Sequence, residues 1–226
     1  SASAASDVYT RQTIAQACAD LPLITAGSGV ALGLPKVYEQ RGWLTRNAPA
    51  AQLDTLQGRA LVLSGSCSAQ TLAQVAQWIE RQLPAYQLDP LLIHADPEQA
   101  FQQALAWLSG QQEPALIYAS ANQTSVKRVQ HELGVVQAGA LIETMLARLA
   151  KAAVAQGVNR IVVAGGETSG AVVQALNVKQ LRIGHSIAPG VPWTQAVDRP
   201  LQLALKSGNF GGVDFFFEAL HTETTT

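Results

Sequence analysis

Charge is scarce in this chain. Of 226 residues, 15 are Lys or Arg and 16 are Asp or Glu, for a formal net charge of −1. That balance excludes a nucleic-acid surface, because phosphate backbones demand clustered Lys and Arg. Cysteine is scarcer still. Cys18 and Cys67 alone make neither a disulfide framework nor a metal spacing. A reducing cytoplasm is the natural reading. Long apolar runs are missing: Ala60-Leu-Val-Leu63 and Ile161-Val-Val-Ala164 are far too short to cross a bilayer, so no membrane role is expected. The N-terminus lacks a charged start followed by an apolar segment, and no signal peptide is expected. His94, His131, His185 and His221 are scattered without ligand spacing and are read as surface or satisfied histidines. Two familiar nucleotide fingerprints are absent as well. Nothing ends in the Gly-Lys-Ser/Thr of a P-loop, and nothing has the spaced three-glycine pattern of a dinucleotide fold.

Apolar residues are plentiful at 48%, enough for a substantial core. Strand-like runs fall at Leu23–Thr25, Ala60–Leu63, Pro90–Ile93, Ala115–Tyr118, Arg160–Val163, Leu181–Ile183 and Leu201–Leu205. Between them lie helical patterns. Ala69 to Leu83 puts Leu72, Val75, Ala76, Ile79 and Leu83 on one face. Pro97 to Leu108 aligns Phe101, Leu105 and Leu108, and Leu141 to Ala155 aligns Leu141, Met145, Leu149 and Ala152. Asp96 before Pro97 is a helix start. This alternation predicts an α/β fold, a mostly parallel sheet with helices on both faces. The last two strand candidates lie close together with Pro189, Pro192 and Pro200 between them, which predicts an antiparallel edge near the C-terminus. A single domain over 1–226 is expected, the first forty residues joining the sheet late or lying beside it. Trp43 to Gly58 reads as a loop, and Thr222 to Thr226 as a frayed tail.

Four bends share one grammar of apolar run, small residues, then helix or turn. They are Thr25-Ala-Gly-Ser-Gly-Val30, Leu63-Ser-Gly-Ser-Cys-Ser-Ala69, Ala164-Gly-Gly-Glu-Thr-Ser-Gly170 and Leu205-Lys-Ser-Gly-Asn-Phe-Gly-Gly212. In a doubly wound sheet such bends share the edge where ligands bind. The third is the most informative. A helix starting after Gly165-Gly166 would offer free N–H groups at the positive end of its dipole, an anion site. Thr168 and Ser169 are read as helix caps that could also meet a phosphate. Ser68 is read as an N-cap, with Ser64 and Ser66 near phosphate or ribose. Lys206 could set a point charge against phosphate oxygens. Gly208, Gly211 and Gly212 would allow close backbone approach. Glu167 could hold a metal-bound water, pair with Lys206 or bind a ribose hydroxyl. Cys67 is read as a small packed residue, Asp214 as the N-terminal charge of a last helix from Phe215 to Leu220, and Trp193 as packing under its turn.

Taken in order, the last three bends, Pro189-Gly-Val-Pro-Trp193 and the ending Asp214-Phe-Phe216 resemble the C-terminal, nucleotide-binding half of the four-carbon acid sugar kinases, and within them the 3-oxo-tetronate kinases. Leu23 to Leu32 resembles the segment joining that family's two halves, although Ala26 stands where the family usually has glycine. The likeness covers nearly the whole chain. It implies ATP-dependent phosphorylation of a hydroxyl on a short sugar acid, with magnesium accompanying the nucleotide. The contacts carried over by motif are Ser64 or Ser66, Gly165, Gly166, Glu167 and Thr168, and Gly208. The family's Asp-Asp-Phe-Thr-Gly type motif and its sugar-acid site have no counterpart here. The expectation is therefore an isolated C-terminal domain that binds ATP or ADP, meets its sugar acid only through the missing N-terminal domain, and carries no assignable catalytic base. A homodimer paired along an exposed sheet edge is also expected. A non-catalytic interaction module is the alternative, and a Rossmann-like dehydrogenase domain the third reading.

Overall fold

The computed structural model describes residues 2–45, 51–119 and 134–221. The chain separates into two compact units, Ser1–Ala51 and Gln52–Thr226. In the first, helices α1 (Ala2–Cys18), α2 (Ser28–Ala31) and α3 (Leu34–Gln40) enclose a small cluster of Ala15, Ala19 and Val37. Gly33 lies tight against α1, since a Cβ there would sit 2.7 Å from Arg11 O and 2.8 Å from Ala15 Cβ. The expected strand at Leu23–Thr25 is instead irregular chain. A strand needs a neighbour for its N–H and C=O groups, and the described residues of this unit supply none. They do not join the sheet, and the bend at Thr25–Val30 lies here, outside the second unit.

The second unit runs β1 (Arg59–Ser64), α4 (Ala69–Glu80), β2 (Ala85–Gln87), α5 (Pro90–Ala95), α6 (Pro97–Ser109), β3 (Ala115–Tyr118), α7 (Val135–Ala155), β4 (Val158–Ala164), α8 (Gly166–Ala175), β5 (Leu181–Ala188), β6 (Val191–Ala196), β7 (Gln202–Lys206) and α9 (Phe215–His221). Its strands form one sheet in the order β2-β3-β1-β4-β7-β6-β5. The pairings from β2 to β7 are parallel, and those of β7 with β6 and β6 with β5 are antiparallel. This is the expected α/β architecture, with its antiparallel C-terminal edge.

Alternation along the central strands covers both faces. Leu61, Leu63, Ile161 and Val163 point into the core under α5 to α8, whereas Ala60, Val62, Val162 and Ala164 point into the core with Val75, Trp78, Phe215 and Phe216 of α4 and α9. Pro90–Ile93, expected as a strand, is the helix α5. Asp89 accepts a hydrogen bond from Leu91 N at 2.9 Å and Pro90 follows in the first turn, the same start signal that opens α6 at Asp96-Pro97. The strand at that point of the chain is the short β2. Pro189 and Gly190 make the expected turn, but the chain re-enters the sheet at Val191 as β6. Trp193 is buried, and its Nε1 donates to Ala219 O at 3.2 Å.

Candidate functional site: a rim of glycine loops

Strand order reverses between β1 and β4. β3 and β2 lie on one side of β1, and β7, β6 and β5 lie on the other side of β4. A crevice opens at such a switch point beyond the carboxyl ends of the strands. Three of the four glycine bends lie there, because β1, β4 and β7 are adjacent and parallel, with Ser64 beside Ala164 and Ala164 beside Lys206.

Backbone hydrogen bonds stitch these bends together. Gly65 N and Ser66 N donate to Ala164 O at 3.1 and 3.3 Å, and Gly165 N donates to Lys206 O at 2.9 Å. The glycines are there for contact. A side chain at Gly65 would strike Thr168 Oγ1, and one at Gly208 would strike Ser66 Oγ and lie 2.8 Å from Ser68 Oγ. Ser64 is fully buried at the end of β1, so Ser66 is the serine of that pair that borders the loop surface. Ser68 caps α4, its Oγ accepting from Thr71 N at 3.2 Å. Cys67, expected to be packed, is exposed. Its neighbours Ser66 and Ser68 take the positions facing Gly208, which leaves Cys67 turned outward.

Helix α8 begins at Gly166, earlier than expected. Its N-cap is Gly165, which provides no side-chain hydrogen bond. Thr168 and Ser169 lie within the first turn and do not cap it. The leading N–H groups of a helix have no partner inside it, so those of Gly166, Glu167 and Thr168 are left to a ligand or solvent. Gly166 and Glu167 are exposed, whereas Thr168 is 3% exposed and packs between Gly65 and Gly165. Ser169 Oγ is buried and makes no hydrogen bond among the described residues, an arrangement that costs free energy unless something completes it. An uncapped helix start, an orphaned hydroxyl and a glycine-lined approach all fit a phosphate group.

Lys206 ends β7 and is 1% exposed. Its Nζ donates to Thr71 Oγ1 at 3.0 Å, Ser207 O at 3.2 Å and Gly208 O at 3.1 Å. An ammonium has three protons, and all three are engaged. The amine therefore ties the last bend to α4, and Gln74 reinforces the tie by donating from Nε2 to Phe210 O at 3.0 Å and Gly212 O at 2.8 Å. Glu167 is not in an ion pair with Lys206 among the described residues. Burial pushes the Lys206 amine down to about 8. The unfolded chain then holds a proton that the folded chain releases between about pH 8 and the ordinary lysine value of 10.5. Stability is expected to rise with pH across that window. Urea denaturation at several pH values checks this, and Lys206→Met should flatten the rise.

Asp214 precedes α9 as expected and is held by Arg81 at 2.7 Å. His131 lies outside the described residues, and among those described no three His, Cys, Asp or Glu side chains gather as a metal site. A separate cavity of about 440 Å³, bordered by Arg160, Trp193, Gln202 and His221, opens at the amino-terminal ends of β4 and β7, the edge opposite the glycine bends. No described helix is long and apolar enough to cross a membrane.

A doubly wound α/β domain with glycine bends at its switch point is the class these features define. The chain belongs to the family described as the nucleotide-binding C-terminal domain, whose model matches residues 61–216. Among curated relatives, a 3-oxo-tetronate kinase of Cupriavidus necator is 54% identical over 209 residues, covering 92% of this chain and 48% of that protein. The 3-oxo-tetronate kinase of Pseudomonas fluorescens is 52% identical over 215 residues, covering 95% of this chain and 49% of the relative. A crystal structure of a Haemophilus influenzae protein superposes with a TM-score of 0.74 at 39% identity, covering 95% of this chain and 51% of that one. The chain thus spans about half the length of the relatives it matches.

Proposed function

We propose that this chain is the ATP-binding part of a cytoplasmic kinase that phosphorylates a four-carbon sugar acid of the tetronate or 3-oxo-tetronate type. The observation that carries the reading is the convergence of three glycine bends at the carboxyl ends of the adjacent strands β1, β4 and β7, with the uncapped start of α8 among them. The amides of Gly166, Glu167 and Thr168 would hold phosphate oxygens. Ser66 and Gly208 would line the opposite side, where the absence of a Cβ lets the Gly208 bend pack against Ser66 and Ser68. Phosphoryl transfer depends mostly on positioning and charge neutralisation. A magnesium ion bound with ATP would supply part of that neutralisation, and Glu167, exposed on the first turn of α8, is the rim carboxylate suited to hold one of its waters. The sugar acid would be met by the half of the relatives that this chain does not span, so the chain alone binds nucleotide without turning over a sugar acid.

Titration calorimetry with ATP, ADP and NAD, alongside a coupled assay with tetronates, tests both parts. Saturable binding of ATP and ADP without turnover is expected. Binding of NAD in their place would point to a dehydrogenase-type domain, and no binding at all to an interaction module. Clear turnover would refute the assignment of the sugar-acid site to the other half.

A further inference from the structure

A buried cation ordinarily has an anionic partner, because hydrogen bonds to neutral groups only partly replace the water it loses. Among the described residues Lys206 has no such partner. The groups facing it are Thr71 Oγ1 of α4, the carbonyls of Ser207 and Gly208, and the rings of Phe215 and Phe216 of α9 with centroids 6.0 and 5.9 Å away. On β4 its strand neighbour is Ala164. Of the acids on or beside α4, α8 and α9, Glu80, Glu167 and Glu218 are exposed, and Asp214 is occupied by Arg81. Desolvation alone accounts for the lowered pKa of the amine. The charge sits directly behind Gly208, on the rim where α8 also presents its free amides.

We propose that Lys206 is a buried counter-charge for the phosphates of the bound nucleotide and the positioning residue of the Gly208 bend, so that nucleotide binding draws a proton onto it. The inference rests on the nucleotide reading above. The proton comes from buffer and goes to the lone pair of the amine. An anion on the rim favours the charged form. The charged form has three donors for the three acceptors around it, whereas the neutral amine has two and gives up one of its three hydrogen bonds. Phosphate binding and an ordered Gly208 bend therefore stabilise the same protonation state. Lys206 acts through the bend and through space, since its donors are already engaged.

Calorimetry at about pH 8, in two buffers of different ionisation enthalpy, reads the linkage. Because the free amine is near half-protonated there, uptake of up to roughly half a proton per ATP is expected. Tripolyphosphate should show the same uptake and adenosine none. Lys206→Arg keeps a permanent charge, so it should bind ATP without uptake. Lys206→Met should bind on the order of tenfold more weakly at neutral pH, again without uptake. Undiminished uptake by the Met or Arg variant, or wild-type ATP binding with no uptake, overturns the proposal while leaving the nucleotide reading intact. If the wild-type chain binds neither ATP nor tripolyphosphate, both fall together. The wild-type comparison of ATP with adenosine decides the matter even if a variant does not fold.

Discussion

Gly165→Ala should reduce ATP affinity by about a hundredfold or more and lower stability by about 1–3 kcal/mol. Gly165 has φ 128°, a region that side-chain-bearing residues rarely enter. A Cβ there would lie 2.9 Å from Thr168 Oγ1 and 3.4 Å from Ser66 N. The residue is also the N-cap of α8 and donates its N–H to Lys206 O at 2.9 Å. Any backbone shift that relieves the strain turns the free amides of Gly166 and Glu167 away from the crevice and loosens the seam between β4 and β7. Gly166→Ala is the matched control. A Cβ at Gly166 meets nothing within 4 Å, so the fold should tolerate it, and any lost affinity reports a ligand close to that backbone. Calorimetric titration with ATP and a thermal melt of both variants give the readout. Near-wild-type affinity in Gly165→Ala would remove the start of α8 from the site.

Phe215→Ala should cost about 3–5 kcal/mol, the range for emptying a packed aromatic position. That is a large share of the stability of an ordinary domain. Phe215 is 0% exposed in the core shared by α4, α9 and the central strands, and it packs edge-on against Phe216 with centroids 6.1 Å apart. It also touches the rim. A Cβ at Gly211, where φ is 80°, would lie 2.5 Å from Phe215 Cδ2. The cavity would therefore open directly under the Gly208–Gly212 bend and beside the Lys206 amine. Chemical denaturation should show the loss in midpoint, and ATP affinity should fall with it. A loss below about 1 kcal/mol would mean that the site collapses onto the gap without disturbing the bend.

Helices α4, α6 and α7 are legible from their period, and strands β1, β3, β4, β5 and β7 from apolar runs bounded by turn residues or helical patterns. Ser68 and Asp96 announce helices by hydrogen-bonding the N–H three residues on. Asp89 caps α5 similarly, accepting from the N–H two residues on. It went unread because Leu91, Leu92 and Ile93 also suit a strand, and a short apolar run has no period of its own. Leu23–Thr25 shows the converse: its composition suits a strand, but the described residues of its unit supply no neighbour to pair with it. β2 is three residues long and its side chains give no alternation to detect.

Chain chemistry by itself determined which segments bend sharply and which could hold phosphate, since a glycine's freedom and a hydroxyl's valence belong to the residue wherever it is placed. The order of its short motifs also pointed to a nucleotide-binding C-terminal half, and the matched domain shows membership of that family. Only the tertiary structure decided that three of the bends share one rim and the fourth lies in a separate unit, because strand order is a long-range property that no local pattern encodes. It decided as well that Lys206 faces inward. A lysine in a glycine-rich loop looks solvated in sequence; β7, α4 and α9 closing around it turn it into a buried charge.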